Sequence, residues 1–69
     1  MTFYDFMMAR HLGEDSPAGD LAVDMQKDDA FPKTGTYVQI RRHLWRKDAC
    51  PECIETFQPC WEEYKDGAD

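Results

Sequence analysis

The chain has 69 residues, fourteen Asp and Glu against eight Lys and Arg, and a formal net charge of −6. That length holds one domain with a small core, and 42% apolar with 13% aromatic residues is too much for a disordered chain. The acidic total argues against whole-surface attraction to nucleic acid or anionic membrane. No stretch approaches the roughly 20 apolar residues of a membrane span.

The N-terminal stretch TFYDFMMARHL reads as a helix. Thr2 is placed to cap it, and Asp5 three residues later resembles the second half of a capping box. Phe3, Phe6 and Met7 form an inward stripe, and Gly13 supplies a stop. Asp5 interrupts the apolar run and no basic leader precedes it, so a signal peptide is not expected and the cytosol is. A second helix starts at Ser16, with Pro17 at the first helical position, where its missing N–H costs nothing. Leu21, Ala22 and Met25 share one face. Asp20, Asp24 and Asp28 run down another at intervals of four, a face that is either solvated or meets something basic.

Pro32 and Gly35 then break the pattern, and Phe31 is expected to plug the core from this loop. In TYVQIRRHLWRK, Thr36 with Gln39 forms another capping box and opens a third helix. Tyr37, Ile40 and Leu44 face inward, with Val38 and Trp45 widening that face. Arg46 and Lys47 suit the negative end of the helix dipole. A fourth helix opens with Pro51 at its first position, and Ile54, Phe57, Trp61 and Tyr64 recur at helical spacing. Pro59 inside it removes a hydrogen bond at a cost of about 3 kcal/mol. A kink over residues 55 to 59, or a split into two short helices, is the expectation. The pattern therefore predicts an all-α, compact four-helix domain. Its core is expected to hold Phe3, Phe6, Met7, Leu21, Met25, Phe31, Tyr37, Ile40, Leu44, Ile54, Phe57, Trp61 and Tyr64.

Charge is distributed unevenly. Residues 33 to 47 hold Lys33, Arg41, Arg42, Arg46 and Lys47 and no acid, so they carry +5 while the remainder carries −11. Such a dipolar surface can steer a partner or a second copy. Arg41, Arg42, Trp45, Arg46 and Lys47 are the candidate partner-binding residues, because interfaces favour Trp and Arg. The same basic helix could instead read nucleic acid in the helix-turn-helix manner, although acidic helices flank it.

Three cysteines crowd the fourth helix, with Cys50 and Cys53 in a CxxC and Cys60 beyond. A structural zinc needs four ligands. Cys60 lies two turns past Cys53, about 10 Å along a regular helix, which leaves only Cys50, Cys53 and His43 as a partial set. A redox pair would gain from the helix N-terminus at Cys50 but lose to Asp48, Glu52 and Glu55. At 100° per residue all three cysteines join or flank the apolar stripe, so packing is the expected role. His43 is expected on the helix surface. Ser16, the one serine, serves as a cap, and no Gly-rich phosphate loop occurs. No catalytic constellation and no cofactor follow from these residues, and a non-enzymatic protein is expected.

Four blocks resemble a known family when taken together. They are the start MTFYDFMM, the loop FPK, the spacing of Tyr37, Ile40, Arg42 and Leu44, and the close at Phe57, Trp61 and Tyr64. The chain resembles the YozE-like family of small bacterial proteins, common in Firmicutes and their mobile elements, over residues 2 to 64. The resemblance implies one sterile-alpha-motif-like (SAM-like) helical domain over residues 1–69, ordered from about 2 to 65, with no enzyme activity. SAM-like domains often associate head to tail, which implies a protein partner or self-association rather than a small-molecule substrate or a membrane. The chain departs from the family at its three cysteines, at Pro59 and at Trp45. The last replaces a polar residue and implies an exposed or partner-covered aromatic.

Overall fold

The computed structural model describes residues 1–48 and 51–67. Among them are four helices and no strand: α1 (Phe3–Arg10), α2 (Pro17–Lys27), α3 (Tyr37–Asp48) and α4 (Pro51–Gly67). Each start follows its local chemistry. Thr2 accepts from Asp5 N and Asp5 accepts from Thr2 N, a complete capping box for α1. Ser16 accepts from Gly19 N with Pro17 following it, so α2 begins where its first donors are satisfied. The Thr36–Gln39 box does the same for α3. Gly13 ends the α1 exit turn at φ +89°, a left-handed conformation that glycine adopts without strain.

α4 is the central element and packs on each of the other three, whereas α2 and α3 lie on it without touching each other as helices. The buried core joins Phe3 and Met7 of α1, Leu21, Ala22 and Met25 of α2, Phe31 of the connection, Ile40 and Leu44 of α3, and Phe57 and Cys60 of α4. Phe57 is fully buried and central to an aromatic cluster. Phe3 meets it edge-on at 5.3 Å, and Tyr37 stacks on it at 5.2 Å. Such pairs add to what their burial alone contributes. Phe31 plugs the core as its sequence context predicts, with its ring against Tyr4 and His43.

Three expectations are corrected. α4 is one continuous helix across Pro59 rather than two short ones. Pro59 and Glu55 are both exposed, so the turn that loses a hydrogen bond lies on the side away from the core, and Phe57 and Cys60 still pack. Val38 and Trp45 do not widen the inward face of α3; they are 56% and 54% exposed. Phe6, Tyr37, Ile54, Trp61 and Tyr64 are half-buried against the core rather than inside it. Aromatics carrying a polar atom tend to sit at such a rim, and Tyr64 there donates its hydroxyl to the Met1 carbonyl at 2.9 Å.

Candidate functional site

The outward arc of α3 begins beside the end of α2. Asp28 is the C-cap of α2 and is 8% exposed. His43 Nε2 donates to its carboxylate at 2.6 Å, Lys47 Nζ lies 3.2 Å away, and Ala30 N donates at 3.0 Å. The His43 bond is the main cause that holds the Asp28 carboxyl down from 3.8 to about 2, against the opposing effect of burial. The third Asp of the α2 series therefore meets basic groups, while Asp20 and Asp24 are exposed. This also corrects the expectation for His43, which is half-buried and acts as a link between α3 and α2 rather than as a plain surface residue.

This anchor predicts an acid-sensitive contribution. The Asp28 carboxyl is depressed in the fold, so its stabilisation is complete above 3.8 and is lost as pH falls through about 2. Urea unfolding of wild type and Asp28→Asn should differ most near neutral pH, and the gap should close across that window. A gap independent of pH would contradict the assignment.

Lys47 is thus partly committed inside the molecule. Arg41, Arg42 and Arg46 are exposed, and among the described residues none of them has a carboxylate within 4.0 Å. The two edges of the arc differ. On one, Tyr37, Val38, Arg41, Arg42 and Trp45 border a groove of about 370 Å³. On the other, Arg42, His43 and Arg46 border a concavity of about 440 Å³ whose far wall is the connection from Ala30 to Gly35. Arg42 serves both. Four of the five candidate partner-binding residues therefore lie on one unpaired surface, and the fifth, Lys47, is drawn toward Asp28.

The cysteines divide. Cys50 lies outside the described residues. Cys53 is half-buried and Cys60 is buried in the core. His43 spends Nε2 on Asp28, and among the described residues no group of three His, Cys, Asp or Glu could hold a metal ion. Burial, with Glu63 and Glu14 adding to it, pushes the Cys60 thiol up to about 11, so it remains protonated at neutral pH. Iodoacetamide should leave Cys60 unmodified in the native protein and alkylate it in urea, as read by peptide mass spectrometry. Rapid native labelling would show that the packing role is wrong.

One cluster had no signal in the sequence. His11 is buried beneath the end of α1, with Nδ1 3.1 Å from Glu14 and Nε2 2.6 Å from Glu63 of α4. Both ring nitrogens face carboxylates, and both can donate only in the imidazolium form. Fifty-two residues separate His11 from Glu63, so no local pattern could pair them.

The model of the family described as the YozE SAM-like fold matches residues 2–66. The chain belongs to the YozE SAM-like family. No curated protein and no solved structure matches it. On the four-helix frame of this YozE SAM-like chain, three sequence features take definite places. Trp45 is exposed between arginines, Cys60 is core, and Pro59 faces water on an unbroken helix. No helix among the described residues is long and apolar enough to cross a membrane.

Proposed function

We propose that the protein is a non-enzymatic interaction module that docks the basic surface of α3 onto an acidic surface of a second copy. The observation that carries this reading is Trp45, half-exposed among Arg41, Arg42 and Arg46, which have no carboxylate partner among the described residues. An exposed Trp ringed by Arg is the composition of an interface hot spot. A complementary surface lies on the same chain. Asp20, Asp24 and Glu52 border a groove between α2 and α4, with Pro17, Leu21 and Thr56 along it. α2 and α3 pack on α4 without touching each other as helices, so basic and acidic surfaces belong to different flanks. Joining unlike flanks gives head-to-tail association. A cytosolic location goes with this reading, because an odd cysteine count suits a reducing compartment.

Sedimentation at rising concentration tests it. Wild type should associate, and the association should weaken with salt. Arg42→Glu with Arg46→Glu should be monomeric with unchanged helical content, as should Asp20→Lys with Asp24→Lys. Mixing the two variants should restore a dimer, since each keeps the surface the other lacks. Association retained by the first variant, or no dimer on mixing, would overturn the reading.

A further inference from the structure

We propose that the concavity between α3 and the 30–35 connection, where Arg42 and Arg46 converge beside His43, is a binding site for a phosphomonoester dianion. This goes beyond docking through Trp45, which lies on the other edge of α3. Arg42 and Arg46 are one helical turn apart, on one side of α3, and both line the same hollow. Among the described residues no carboxylate lines it. Asp28, which holds the lining residue His43, is itself covered by His43, Lys47 and the Ala30 amide, so its charge is compensated. The two arginines are left with their charge unpaired among the described residues.

The neutral groups of the site suit an oxyanion as well. Thr34 brings a hydroxyl donor from the facing wall. Gln39 spends its Oε1 on the Thr36 amide at 2.8 Å, so the nitrogen of its side chain remains a donor. His43 is oriented by its bond through Nε2 to Asp28. The recognition set thus consists of two planar forks and two neutral donors, with the donor of His43 already spent on Asp28. Arg forks match tetrahedral oxyanions in a bidentate manner that an ammonium cannot reproduce.

A monoester fits better than a polynucleotide. The hollow, at about 440 Å³, holds a phosphoryl group and a small attached body. The charge that attracts it is local: residues 33 to 47 carry +5 and the rest of the chain −11. A long polyanion leaving the hollow would run along acidic surface, whereas a single dianion meets only the basic segment.

The experiment is an NMR titration of the whole chain with phenyl phosphate, replacing chloride at constant ionic strength. Saturable shifts are expected at the amides of Thr34 and Gly35 and at the side-chain Nε–H signals of Arg42 and Arg46. Arg46→Ala should weaken binding about tenfold, the scale of one lost charge-assisted contact, and Arg46→Lys should weaken it too, because the charge remains and the fork is lost. Arg41→Ala should leave it unchanged. Trp45→Ala should also leave it unchanged while removing self-association, which separates this site from the docking surface. Shifts that do not saturate, full affinity in Arg46→Lys, or an equal loss in Arg41→Ala would each overturn the proposal. So would tighter, steeply salt-dependent binding of a single-stranded oligonucleotide that needs Arg41 as much as Arg46, since that would make the whole α3 face a nucleic-acid surface.

Discussion

Phe57→Ala should remove most of the stability of this fold. Phe57 is fully buried on the central helix, with Phe3 edge-on, Tyr37 stacked and Trp61 at 6.0 Å. Truncating a buried Phe costs about 3–5 kcal/mol, from lost transfer energy and the cavity left behind. Small domains hold roughly 0.05–0.15 kcal/mol per residue, so a chain of 69 residues has little beyond that cost. The cavity would also separate α1 from α3, which meet through this ring. Thermal unfolding followed by circular dichroism should show a broad, low transition or none, while Phe57→Leu should keep a cooperative one at reduced midpoint. If Phe57→Ala melted like wild type, the aromatic cluster would not be what holds the helices together.

Gly19→Ala should destabilise the protein although helix propensity predicts the opposite. Alanine in place of glycine in a helix interior is worth up to about 1 kcal/mol on propensity alone. Gly19 sits in the first turn of α2, under the loop that returns from α1. A Cβ built on it would lie 1.8 Å from the Glu14 carbonyl oxygen and 2.7 Å from its carbon. Those are backbone atoms, so no side chain can swing away. The loop would have to move, and it carries contacts of both helices: Glu14 accepts from Ser16 at 2.6 Å and pairs with His11 at 3.1 Å. Overpacking of this kind costs about 1–3 kcal/mol or more. Urea denaturation should place the Gly19→Ala midpoint clearly below wild type. Gly67→Ala, with open space around its Cβ, should leave the midpoint nearly unchanged. A stabilised Gly19→Ala would mean that the loop does not press on α2.

These effects show where sequence reading was strong and where it stopped. The helix starts were legible because capping is local: Thr2 with Asp5, Ser16 before Pro17, and Thr36 with Gln39 each satisfy orphan amides within four residues. The inward stripes of Phe3 and Met7, Ile40 and Leu44, and Phe57 were legible because helical periodicity is a property of the chain alone. At Pro59 the split into two short helices does not occur. The local cost of the proline is real, but packing of α4 on three neighbours outweighs one missing hydrogen bond on the exposed side.

The candidate site was half legible. Its composition, +5 over residues 33 to 47 beside a Trp, stands in the sequence. Which of those charges stay unpaired does not, because that depends on what the fold brings opposite them. Only the tertiary structure sets Asp28 beside His43 and Lys47 and so gives the exposed Lys47 an internal carboxylate partner. It leaves Arg42 and Arg46 facing a hollow made by a loop before the helix, and it turns Val38 outward rather than inward. It closes His11 between Glu14 and Glu63 across the length of the chain. The sequence by itself determined the four helices, the caps at the starts of α1, α2 and α3 and most of the inward faces, since those follow from interactions within a few residues. The neighbours of each charge, the room around Gly19 and the side on which Val38 and Trp45 emerge were decided by packing, which depends on how α4 gathers distant segments around Phe57.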